Sequence, residues 1–94
     1  MHVVGFEVDI RIPESHSLKD RRQVVRSLLD GARQRFAVSA AEVGGQDTWQ
    51  RATLGFAIVA SQARLAEEVV DHVDRFLWSR PEIEVVEART AWLD

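Results

Sequence analysis

Residues 42–51, Glu-Val-Gly-Gly-Gln-Asp-Thr-Trp-Gln-Arg, are the densest constellation of chemically capable side chains in the sequence. Glu42, Gln46, Asp47, Gln50 and Arg51 bracket Trp49, and Gly44 and Gly45 leave the backbone free to turn. An indole among amide and guanidinium groups can stack on a nucleobase or anchor a protein partner. Glu42, Asp47 and Arg51 are also the set on which a small-molecule or enzymatic role would rest. The plain alternative is that Trp49 covers one edge of the core, Asp47 stabilises a turn and Arg51 pairs with an acid.

A second constellation is electrostatic. Between residues 17 and 36 the bases Lys19, Arg21, Arg22, Arg26, Arg33 and Arg35 face only the acids Asp20 and Asp30, a local charge of +4. The whole chain carries −3, so the remainder carries −7. Lys19, Arg22, Arg26 and Arg33 fall at i, i+3, i+7 and i+14, one face of a helix. Such a strip can contact RNA or DNA phosphates with little sequence preference and strong salt dependence. It can equally be an ordinary solvated face beside a helix carrying Glu67, Glu68, Asp71 and Asp74. Lys19 and Arg21 lie near the helix N-terminus, where cations oppose the helix dipole, and that local cost tilts the reading toward a role.

Other chemistry has no foothold. His2, His16 and His72 are far apart, without metal-ligand spacing. No cysteine is present, which removes disulfides, thiolate nucleophiles and cysteine-ligated metals. No phosphate loop, dinucleotide fingerprint or nucleophile elbow occurs, and Gly44-Gly45 precedes a strand rather than a helix. Glu7 and Asp9 stand two apart on one strand face, but Arg11 beside them predicts a cross-strand ion-pair ladder rather than an acid–base pair. No cofactor is expected.

The elements that position these residues follow from period. Val4, Phe6, Val8, Ile10 and Ile12 alternate with charged residues, a half-buried strand that Pro13 ends. Ser17 with Asp20 resembles a capping box, and Leu18, Val25, Leu28, Leu29 and Ala32 predict a helix over about 17–34. Gly31 inside it hints at close packing or early fraying. Strands are expected over 36–43 and 49–60, joined as a hairpin by the glycine-containing loop. Ser61 is placed to cap a second helix that stops before Pro81, and 83–93 reads as a last strand. The order β-α-β-β-α-β, with right-handed crossovers, predicts a ferredoxin-like α+β fold: a four-stranded antiparallel sheet with both helices on one face.

The stretches Ser17–Val25, Val38–Val43 and Gln46–Ala52 resemble the YlxP-like family, a bacterial domain of unknown function. The likeness spans essentially the whole chain, and the run from Ala-Glu-Val to Gln-Asp-x-Trp-Gln-Arg-Ala-x-Leu-Gly is specific. Asp20 stands where the family pattern expects glutamate, and Gly45 occupies a variable position. Membership implies a ferredoxin-like fold and a gene often beside those for translation initiation factor 2 and ribosome-binding factor A. It implies no established activity.

Length and composition bound the rest. Ninety-four residues, 46% hydrophobic and 29% charged, are enough for one small domain with a core. No run approaches the roughly 18 apolar residues of a membrane span, and no signal peptide opens the chain, so a cytoplasmic protein without membrane contact is expected. The loop Pro13-Glu14-Ser15-His16 is acidic and lacks glycine, unlike the phosphate loop of acylphosphatases, which share this topology. Phe6 and Phe56 should face the core, which argues against base stacking on the open sheet in the manner of RNA-recognition motifs. The leading expectation is a non-enzymatic module that contacts ribosomal RNA or a ribosomal subunit. Lys19, Arg21, Arg22, Arg26, Arg33, Trp49, Gln50 and Arg51 are its candidate contacts, with Glu42, Gln46 and Asp47 as the loop signature. The alternative is a protein-interaction or homodimerisation module using the hairpin loop or the open sheet, whose outer face offers Thr53, Gly55, Ala57 and Val59.

Overall fold

The computed structural model describes residues 1–45 and 48–93, and the element order is the expected one. Strand β1 spans His2–Arg11, helix α1 Leu18–Phe36, β2 Ser39–Gly44, β3 Arg51–Ala60, α2 Ala63–Trp78 and β4 Glu84–Trp92. The four strands form one antiparallel sheet in the order β2-β3-β1-β4. That order makes β1 and β3 central and leaves β2 and β4 as edges. The fold is the ferredoxin-like α+β arrangement.

Alternation builds the core. Val4, Phe6, Val8 and Ile10 on β1 and Ala52, Leu54, Phe56 and Ile58 on β3 point to the helix side and are buried. Val25, Leu28, Leu29 and Ala32 of α1 and Ala66, Val73, Phe76 and Leu77 of α2 close over them in a single cluster. In register, Phe6 lies opposite Phe56 with ring centroids 6.3 Å apart. Both phenylalanines are therefore spent on the core, and the other sheet face is left to small and charged residues.

Helix ends account for the boundaries. Ser17 caps α1, its hydroxyl accepting from the Asp20 N–H at 3.1 Å. Asp20 returns the bond to the N–H of His16, one residue before the cap, at 3.2 Å. The helix runs past residue 34 to Phe36, because Phe36 packs edge-on against Phe76 at 5.9 Å and near-parallel to His72 at 6.0 Å. Ala37 then turns left-handed (φ 52°), so β2 starts three residues later than the 36–43 period suggested. Gly31 is a close-packing site: a Cβ there would stand 2.7 Å from Cζ of Phe76. At α2 the cap position falls on Gln62 rather than Ser61, and no side chain caps the helix. No helix of the described residues is long and apolar enough to cross a membrane.

Candidate functional site

The joint between α1 and the β2–β3 hairpin is organised by Arg21. Its side chain is only 3% exposed, which corrects its place among the nucleic-acid contacts. A charge in that position needs satisfied partners. Nε donates to the Arg51 carbonyl at 3.0 Å, and Nη2 to the Gly45 carbonyl at 2.8 Å and to the Glu42 carboxylate. Glu42 is itself mostly covered, its side chain 19% exposed, so the two charges neutralise each other away from bulk water. Neither is free to bind phosphate or to act as an acid–base group.

Gln50 is fastened in the same way. Its amide donates to the carbonyls of Pro13 and Ser15, each at 3.3 Å, while the Ile12 N–H donates to the Gln50 carbonyl at 2.8 Å. Residues 49–51 are thereby held over the β1–α1 turn, at the N-terminal end of α1. Two constellations distant in sequence thus meet at one end of the molecule. Trp49 is 56% exposed there, with Arg51 exposed beside it. Arg51 lines a depression of ≈ 330 Å³ with Asp9, Thr48, Thr53 and Glu87 on the outer sheet face. The candidates Gln46 and Asp47 lie outside the described residues.

Along α1, Lys19, Arg22, Arg26 and Arg33 are all exposed. Arg33 is tied down, donating to Asp30 at 3.0 Å and to the Ala40 carbonyl on edge strand β2. Among the described residues, Lys19, Arg22 and Arg26 have no ion-pair partner. Arg22, Arg26 and Arg33 line a groove of ≈ 330 Å³ between α1 and β2, floored by Val25 and Leu29, with Asp30 and Glu42 at its sides. Both acids are already engaged by Arg33 and Arg21. The groove therefore presents two cations that no described residue neutralises. Sequence spacing identified the strip. It did not identify the apolar floor, because Val25 and Leu29 read simply as core positions.

The outer sheet face carries the cross-strand ion-pair ladder expected around Glu7, Asp9 and Arg11, with a base from β4 that spacing did not name. Arg89 of β4, not Arg11, bridges the β1 carboxylates: Nε donates to Glu7 at 3.0 Å and Nη1 to Asp9 at 3.0 Å. Arg11 instead reaches Glu84 at 3.6 Å. The register sets Glu7 opposite Arg89, a pairing that only the strand order reveals. Hydrogen bonds from Arg89 and from the Thr53 hydroxyl hold the Asp9 carboxyl below its ordinary range. Among the described residues, no group of three or more His, Asp or Glu side chains is placed to hold a metal ion.

Comparison with known proteins agrees with this architecture. Residues 3–90 match the family model described as "Protein of unknown function (DUF503)". The chain is similar to the uncharacterized protein YlxP of Bacillus subtilis (strain 168), 40% identical over 91 residues that cover 96% of this chain and 99% of that one. Among solved structures, it is similar to the de novo designed protein Foldit4, with a TM-score of 0.58 at 17% identity over 95% of this chain and 96% of that one. That likeness concerns the fold alone. From the family match and the 40% relative, the chain belongs to the YlxP-like DUF503 family of unknown function.

Proposed function

We propose that the protein is a non-enzymatic, translation-associated module of the cytoplasm that contacts RNA, with ribosomal RNA or a ribosomal subunit as its partner. The observation that carries this reading is the state of Arg22 and Arg26. They are exposed and, among the described residues, unpaired on one face of α1, beside a groove whose other charges are already matched. On a chain of net charge −3, cations left unneutralised in one place are the footprint of an anionic partner. Lys19 continues the strip toward the end where Trp49 offers an exposed ring for base stacking. The translation context rests on the gene neighbourhood that family membership implies. A binding role is favoured over an enzymatic one because Glu42 and Asp9 are both committed to arginine partners.

Fluorescence anisotropy with a single-stranded fragment of ribosomal RNA over a salt series tests the reading. Three or four neutralised phosphates predict a slope of log K against log salt of about −2 to −3, at about −0.7 per contact. The Arg22→Gln/Arg26→Gln variant should lose about 1.4 of that slope. A flat salt response, or an unchanged slope in the variant, would defeat the proposal.

A further inference from the structure

The two sheet edges are treated differently. β2 is short, its register with β3 slips between Glu42 and Gly44, and Arg33 occupies the Ala40 carbonyl. These are the usual means of blunting an edge. β4 has nine residues without proline or glycine, its register against β1 slips once, at Val86 near its start, and every residue from Val86 to Trp92 is exposed. A strand under a helix layer should bury alternate side chains, as β1 and β3 do. α2 stops short of β4 and leaves a groove of ≈ 290 Å³, lined by Val70, Asp71, Asp74, Ala88 and Thr90 among others. Trp92, opposite the buried Val4, remains 40% exposed, and Val86, at 52%, opens onto the outer face.

The hydrogen-bond phase of that edge is readable. The Leu93 N–H donates to the Val3 carbonyl at 2.9 Å, continuing the register in which Ala91, Arg89 and Glu87 face Gly5, Glu7 and Asp9. Because an antiparallel ladder alternates, those odd positions turn their backbone groups to β1. The N–H and C=O of Ala88, Thr90 and Trp92 therefore point to the free edge. Pairing β4 with itself about Ala88, the middle residue of the strand, places the axis on the regular side of the slip at Val86. That residue is one whose N–H and C=O are available.

The charges agree with this alignment, Arg89 adding a carboxylate of the second copy to the Glu7 and Asp9 it already bridges. With Ala88 opposite Ala88, Glu87 lies opposite Arg89 of the second copy, and Arg89 opposite its Glu87. Both pairs occupy non-hydrogen-bonded sites, where side chains approach most closely, at about 4.5 Å between Cα atoms. Hydrogen-bond phase thus admits this register and charge favours it. We propose that the free edge of β4 pairs antiparallel with β4 of a second copy about a two-fold axis at Ala88, giving one continuous eight-stranded sheet. The inference goes beyond RNA contact and does not depend on it.

Sedimentation velocity on the full chain, up to near-millimolar concentration, is the test. The wild type should approach twice 10.7 kDa as concentration rises. Ala88→Pro removes an N–H that faces the free edge and leaves the β1–β4 ladder intact, as edge prolines do, so it should stay folded and monomeric. Glu87→Arg turns two attractive pairs into two repulsive ones and should weaken the dimer about tenfold. It decides the question even if the proline variant misfolds, because Glu87 makes no ion pair within the described chain. A wild type that stays monomeric, or a dimer indifferent to Glu87→Arg, overturns the proposal; the second result would place the contact elsewhere, the open sheet face included.

Discussion

Arg21 and Arg22 are neighbours in the chain with opposite fates. One helical step turns Arg21 into the joint with Glu42, Gly45 and Arg51, while Arg22 faces solvent. Helical spacing already parts them, since Arg21 stands three residues after Leu18 and four before Val25, on the apolar stripe, while Arg22 belongs to the basic strip; the hairpin then supplies the partners that bury Arg21. The distinction predicts different losses. Arg21→Met leaves the Glu42 carboxylate without its partner and should lower the stability measured by urea unfolding by about 3–5 kcal/mol. Arg22→Gln should stay within about 0.5 kcal/mol of wild type. Similar losses in the two variants would contradict the structural role assigned to Arg21.

At the scale of elements, Gly31 shows how packing overrides propensity. An alanine in mid-helix is worth about 1 kcal/mol over glycine. Here its Cβ would meet the Phe76 ring at 2.7 Å, and that ring is held by Phe36 and by the guanidinium groups of Arg35 and Arg80, 5.0 and 5.6 Å from its centroid. Overpacking of this kind costs about 1–3 kcal/mol. Gly31→Ala should therefore destabilise by about 1 kcal/mol net, read as a lowered melting temperature. In a Phe76→Leu background the same substitution should become stabilising, and a stabilising effect in the wild-type background would show that the ring yields.

At the scale of the whole molecule, net charge misleads. The average of −3 hides a helix-bearing segment of +4 and a remainder of −7, and the fold sets the bases along α1 at the β2 side of the sheet. If β4 joins β4, the two β2 strands become the outer edges of an eight-stranded sheet. Seven spacings of about 4.8 Å then separate them by roughly 34 Å. RNA contact and edge pairing would together make the assembly bivalent. An RNA long enough to reach both strips should bind the wild type about 100-fold more tightly than Ala88→Pro, whereas a short one should bind both alike. Equal affinity for the long RNA would mean that the two surfaces do not act together.

The sequence by itself determined the layer structure, the element order and the faces of β1, β3 and both helices. Those rest on local period: Val4 to Ile12 at two, Val25 to Ala32 at three to four, although Leu18, read into the same stripe, is exposed at the start of α1. It also determined that bases gather on one helix face, since helical spacing is local as well. The likeness carried by Ala41–Gly55 placed the family. Tertiary structure decided everything that depends on register between distant segments. Arg89 rather than Arg11 bridges Glu7 and Asp9 because β4 lies beside β1, 80 residues along the chain. Phe36 belongs to a helix because Phe76 and His72 receive it. Arg21, Gln50 and Glu42 are fastenings, while Arg22 and Arg26 remain open, because the hairpin closes over the start of α1 and not over its outer face. Period follows from a residue's own neighbours in the chain. A partner across the sheet is known only once the chain has folded.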